Sequence, residues 1–202
     1  IRSNERKADK KRELLPFYAP WVAGVLTDGR GAQDDILMTV MLWRLDAGDI
    51  AGALEIAPYA LKYGLTSDYR RTTPYMLVEE VALAALRLRD TGEPVDLALL
   101  LTTLSLTDGA DVPDMVRARL HKVTGLTLRD AGQSAEALAQ FQRAMQLDRN
   151  AGVRKEIERL ERALKPKPDA APRKTTKPRT RKPATKPAAK RGRPPKAVKT
   201  AG

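Results

Sequence analysis

Eight of the chain's fourteen prolines fall in residues 165–202, "KPKPDAAPRKTTKPRTRKPATKPAAKRGRPPKAVKTAG", with fourteen Lys/Arg and one acid, Asp169. This segment has almost nothing to bury, so the entropy cost of ordering it is not offset. It is expected to be disordered in isolation. That restricts the folding part of the chain to residues 1–164. Charge divides at the same place. The whole chain has 37 basic and 25 acidic residues, so residues 1–164 keep 23 and 24, a net of −1, while the tail carries +13.

A flexible polycation seeks phosphate, nucleic acid first and anionic membrane second. No apolar run approaches the roughly 18–20 residues of a membrane span, and no apolar or lipid anchor accompanies the tail. Double-stranded DNA is therefore the expected partner, and a membrane is not. The chain has no cysteine, which excludes disulfides and thiolate chemistry and fits a reducing compartment. No secretory signal is visible; the first residue is Ile1 rather than Met, so an earlier start is expected.

Residues 2–13, "RSNERKADKKRE", are charged without a wide apolar face, and the sequence predicts a basic helical arm over 1–13. "LLPFYAPWVAGVL" then predicts an anchor onto the core through Phe17, Tyr18, Trp21 and Val22, followed by a short helix ending near Asp28-Gly29. In "AQDDILMTVMLWRLDAGD", Ile36, Leu37, Val40, Met41 and Leu45 recur at helical spacing. Gly48 suits a C-cap and Asp49 the N-cap of the next helix, inside which Pro58 is expected to kink or interrupt. Thr73 is predicted to cap a helix with Pro74 at its first position, where a missing N–H costs nothing, and with Leu77, Val81, Ala84 and Leu88 inward. Four further helices follow: "EPVDLALLLTTLSL"; one from Pro113 burying Val116, Leu120 and Val123; "SAEALAQFQRAMQL" burying Ala137, Phe141 and Ala144; and one opened by Asn150 with Val153, Ile157, Leu160 and Leu164 on one side. The predicted architecture is all-α, an irregular antiparallel helical bundle over 14–164 with a disordered basic tail over 165–202.

Residues 121–149 resemble a tetratricopeptide repeat, with Gly125, Gly132, Ala137, Phe141 and Ala144 at the spacing that repeat uses for close helix packing. "AGDIAGALEIAPYAL" (Ala47–Leu61) is a weaker echo. Two imperfect copies 84 residues apart do not make a regular array, and a plain antiparallel helix pair with small residues at its contact is the simpler reading of the same pattern.

Within the tail, "KRGRPPK" resembles an AT-hook. Gly192 lets the backbone lie against the floor of a narrow groove. Arg191 and Arg193 extend along it in opposite directions, and Pro194 leads the chain out. Narrow A-tract minor grooves carry enhanced negative potential. Lys190 and Lys196 would meet phosphates. Pro195 stands where many hooks carry a basic residue. The alternative is a polybasic arm that binds without sequence preference.

Catalytic constellations are thin. His121 is the chain's one histidine, and it reads as a partly exposed packing residue. Asp34-Asp35 suit a helix start, where the dipole favours carboxylates. Glu79-Glu80 are neighbours on a helix, point in different directions, and read as a solvated face. No phosphate-binding glycine loop or nucleophile elbow occurs, so metal sites and catalytic residues stay unassigned.

Four long segments carry a family resemblance: "KKRELLPFYAPWVAGVL", "GAQDDILMTVMLWRLDAGDIAGALEIAPYALKYGL", "RRTTPYMLVEEVALAAL" and "AGVRKEIERLERALKPKP". They resemble the small terminase subunit of P2-like tailed phages and prophages. Members of that family usually start earlier, with a further basic helical segment. The resemblance implies a protein of the host bacterial cytoplasm that binds packaging-site DNA, recruits the large ATPase subunit and self-associates. It implies no cofactor. The family's endonuclease label would need Mg²⁺, with Asp34, Asp35, Glu79 or Glu80 converging. A third possibility is a tetratricopeptide-like interaction scaffold with a nonspecific tail.

Overall fold

A computed structural model of the chain describes residues 1–67 and 71–165. Over these residues it has eight helices and no strand: α1 (Asn4–Asp28), α2 (Asp35–Asp46), α3 (Ile50–Lys62), α4 (Thr73–Asp90), α5 (Leu97–Leu106), α6 (Asp114–Asp130), α7 (Ser134–Leu147) and α8 (Arg154–Leu164).

α1 departs from expectation. The arm, the anchor and the short helix are one continuous helix of 25 residues with Pro16 and Pro20 inside it. Both prolines are exposed, on the side away from the core. Each removes one backbone bond, but its fixed φ is already helical. Leu15, Tyr18, Val22, Val25 and Leu26 pack on the core both before and beyond the prolines, so burial along the whole length outweighs the two lost bonds. Ser3 caps the start by accepting from the Arg6 N–H at 3.3 Å. Of the four expected anchor residues, Val22 is buried and Tyr18 meets Trp43 edge-on at 5.9 Å, but Phe17 and Trp21 face outward, 80% and 50% exposed.

α2 is covered by α1, α3 and α4. Its buried set is accordingly wide: Leu37, Met38, Val40, Met41 and Leu45. Ile36, expected inside, is exposed, and Met38 takes the inward place. The α2–α3 turn follows its local chemistry. Gly48 adopts φ +85°; its N–H donates to the Leu45 carbonyl and the Asp49 N–H to that of Arg44, the paired closure of a Schellman end. Asp49 then accepts from the Gly52 N–H at 2.8 Å, capping α3. Pro58 is exposed and does not interrupt α3.

α4 is shifted by one residue from its predicted start. Thr72 holds the N-cap position without a side-chain bond. Thr73 is the first helical residue, buried, and its hydroxyl donates to the Leu65 carbonyl. α8 begins at Arg154 rather than at Asn150, after a turn in which Gly152 has φ +73°, and Leu164 at its end is exposed.

Two hydrophobic cores share α6. Val116, Leu120 and Val123 join the core of α1–α5, while Ala118 and Leu128 join Ala137, Phe141, Ala144, Val153, Ile157 and Leu160. α6 and α7 form the most extensively packed helix pair among the described residues. Their turn repeats the α2–α3 closure: Gly132 donates to Arg129, and Gln133 to Leu128. Gly125, Ala137, Phe141 and Ala144 are all buried in this pair, as expected of a helix pair with small residues at its contact. Among the described residues no helix is long and apolar enough to cross a membrane.

Candidate nucleic-acid interface and the acidic clusters

The expected DNA contacts, Lys190, Arg191, Gly192, Arg193, Pro194 and Lys196, lie outside the described residues. The helix that leads toward them is not itself a polycation. α8, "RKEIERLERAL", interleaves acids with bases on a strongly two-sided helix, so charge of one sign does not build up before the tail.

Asp34 is committed to structure. One carboxylate oxygen accepts from the Leu37 N–H at 2.8 Å and caps α2. The other accepts from the Trp21 indole N–H at 2.9 Å, tying α2 to α1. Asp35 accepts from the Gln33 amide at 2.8 Å, and the same Gln33 accepts from the Thr66 N–H at 3.0 Å. The expected helix-start role of Asp34 therefore holds.

Glu79 and Glu80 differ from expectation. They are not a solvated face: their side chains are 19% and 17% exposed, and both pair with Arg71. The Arg71 guanidinium also lies 5.8 Å from the Tyr75 ring centre. Burial pushes the Glu80 carboxyl above its ordinary range, Arg71 and Arg87 oppose, and the negative charges of Asp46 and Glu79 add to the rise. Asp46 in turn pairs with Lys11 of α1. The Lys11–Asp46 pair ties α1 to α2 and Arg71 holds two acids of α4, pairings that sequence spacing could not reveal because Lys11 and Asp46 are distant along the chain. The like charges of Asp46 and Glu80 repel rather than join the two groups.

His121 is half-buried on α6, its Nδ1 2.7 Å from the Gln140 side-chain oxygen on α7. Burial lowers its pKa, the Gln140 bond opposes, and Arg143 and Arg117 add to the lowering. At neutral pH it is an uncharged packing residue. Asp130 joins α4 to α6 through Arg89 at 2.7 Å. Burial raises its carboxyl, but bonds from Arg129 and Arg89 outweigh this and hold it below its usual range.

A cleft of 260 Å³ between α1 and α2 is lined by Lys11, Asp35, Trp43, Asp46 and Ser67 among others. Its charges are mixed, which suits neither a phosphate nor a divalent ion. Among the described residues no three of His, Cys, Asp and Glu group so as to hold a metal ion. Three of the four acids considered for a nuclease centre are engaged elsewhere, Asp34 by two N–H donors and Glu79 and Glu80 by Arg71, while Asp35 accepts from Gln33.

The chain is similar to known proteins over nearly its whole length. The family described as "Phage small terminase subunit" matches residues 1–115, which is α1 to α5 and the start of α6. The "Terminase, endonuclease subunit" of Escherichia phage P2 is 67% identical over 199 residues, covering 97% of this chain and 80% of that protein. That coverage carries the likeness past Lys165 into the basic tail. No solved structure matches. On the strength of a family match over more than half its residues and a relative of this identity, the chain belongs to the phage small terminase subunit family.

Proposed function

We propose that this packaging subunit is a two-part adaptor: the helical body self-associates and docks the large terminase ATPase, and the tail captures packaging-site DNA in the host cytoplasm. The observation that carries this reading is the division of charge, +13 in residues 165–202 against −1 in residues 1–164. Arg191 and Arg193 are proposed to enter an AT-rich minor groove, and Lys190 and Lys196 to meet phosphates. The remaining Lys/Arg set affinity and its salt dependence. Several tails on one assembly raise the local concentration of cation at the DNA.

The test compares the full chain with residues 1–164 for binding to packaging-site and random duplexes across a salt series. With about 6–10 phosphate contacts, affinity of the full chain falls on the order of 10³–10⁵-fold between 50 and 200 mM salt. The truncated chain loses most binding. Undiminished binding by the truncated chain overturns the tail as the DNA-capturing element. Equal affinity for AT-rich and GC-rich duplexes removes the minor-groove part alone.

A second reading, a metal-dependent endonuclease subunit, is favoured by one observation, the name endonuclease subunit borne by the phage P2 relative. Purified protein is incubated alone with cohesive-end DNA and Mg²⁺. Specific nicking that vanishes in an Asp35→Asn variant replaces the adaptor reading with an enzymatic one.

A further inference from the structure

α1 carries three features that, among the described residues, no contact accounts for beyond the bond from the Trp21 indole N–H to Asp34. Phe17 and Trp21 point outward, 80% and 50% exposed. Gly24 sits inside the helix, where glycine weakens it relative to alanine, yet a Cβ at Gly24 would meet nothing within 4 Å. Asp28 stands in the last turn, at the negative end of the helix dipole, and that turn holds no basic residue.

These residues belong to one stripe. Lys10, Leu14, Phe17, Trp21, Gly24 and Asp28 follow each other at alternating spacings of four and three, the repeat that packs one helix along another at about 20°. The stripe is also complementary to its own reverse. Turned about a point at residue 19, Phe17 meets Trp21, Leu14 meets Gly24, and Lys10 meets Asp28. We propose that a second copy of this chain docks antiparallel along the outer face of α1, in this register, about a two-fold axis through residue 19.

Each unexplained feature then has a cause. The aromatic rings cover one another across the axis, twice. The bare backbone at Gly24 admits the partner's Leu14 at close range. The partner's Lys10 supplies the cation that the last turn of α1 lacks. Lys10 is free to do so, since its own pair with Glu13, at 2.6 Å, is more than half exposed on both sides and weak. Trp21 is preset, because Asp34 holds its indole N–H. Charge selects the direction. Residues 2–13 hold six Lys/Arg and three acids, while the last turn of α1 carries Asp28 and no basic residue. Antiparallel docking sets basic against acidic at both ends; parallel docking sets like against like. A two-fold contact needs a surface that matches itself, and this stripe does.

The proposal deepens the self-association in the proposed function and rests on that part of it alone, so its test contains no DNA. The chain has no native cysteine, which makes single-cysteine variants unambiguous. Full-length Lys10→Cys and Asp28→Cys chains, one of them tagged for size, are mixed and treated with a short thiol cross-linker. The mixture is expected to give the mixed covalent dimer. Neither variant alone gives its own dimer, because equivalent sites stand about 27 Å apart along an antiparallel pair. Absence of the mixed dimer, or like-with-like cross-links of similar yield, overturns the register. In sedimentation equilibrium, Phe17→Ala with Trp21→Ala weakens self-association at least tenfold with unchanged helical circular dichroism. Lys10→Asp weakens it too, and Lys10→Asp with Asp28→Lys restores it. Unchanged association in the double aromatic variant shows that another surface or another partner uses this face and overturns the docking. Failure of DNA capture with the cross-link intact sinks the tail reading and leaves the pairing standing.

Discussion

Gly125 of α6 lies against the ring of Phe141 of α7: a Cβ built at Gly125 would stand 2.7 Å from Phe141 Cε1. Both residues are fully buried, and Phe141 is the largest of the completely enclosed side chains. The α6–α7 packing is therefore set in part by one missing methyl group. Gly125→Ala is expected to destabilise by about 1–3 kcal/mol through overpacking, read as a lowered urea midpoint at constant slope. Phe141→Leu in the same chain should recover part of that loss. An unchanged midpoint for Gly125→Ala would mean that the two helices separate at no cost, and would remove this contact as a determinant of the pair.

Pro58 interrupts the backbone ladder of α3 on an exposed face while the helix continues. Proline costs about 3 kcal/mol relative to alanine in a helix interior, and part of this is returned because proline also restricts the unfolded chain. Pro58→Ala should stabilise by about 1–2 kcal/mol. A fall in melting temperature would mean that Pro58 shapes α3 rather than merely being tolerated by it.

His121 is the chain's one histidine, so its titration is read without overlap by proton NMR. Burial holds its pKa below the ordinary 6.5. The unfolded chain therefore takes the proton first as pH falls. The stability gained by burying the neutral ring is complete above 6.5 and is lost as pH descends from there to the folded value. His121→Gln should flatten that decline between pH 7.5 and 5. A pKa at or above 6.5 in the native protein would reverse the sign.

Glu80 has the opposite linkage. Its folded pKa is raised above the ordinary 4.5, chiefly by burial, so the folded state holds the proton longer than the unfolded state. The associated stability is present below 4.5 and is lost as pH rises through the folded value. Glu80→Gln keeps the shape and removes the charge, while Arg71 retains its pair with Glu79. The variant should melt higher than the parent at pH 7 and equally with it near pH 3.5. A lower melting temperature at pH 7 would show that the Arg71 pair outweighs the burial of Glu80.

Turn and cap chemistry was readable without a structure because it is local. Gly48 and Asp49 end one helix and start the next with their own backbone and side chain. Ala137, Phe141 and Ala144 lie on one face at helical spacing and are all completely buried. The candidate DNA residues Lys190 to Lys196 are proposed from composition and motif alone and lie outside the described residues.

The sequence by itself determined the helical class, the turns, most inward stripes and the charge division, since each depends on neighbours a few positions apart. Only the tertiary structure decided that Pro16, Pro20 and Pro58 remain inside helices, because the lost backbone bond is a local cost and the burial that offsets it comes from other elements. It alone turned Phe17, Trp21 and Ile36 outward and gathered Arg71, Glu79 and Glu80 into one half-buried cluster. Which apolar face is covered, and which charges lose water together, is settled by packing partners that no spacing along the chain encodes.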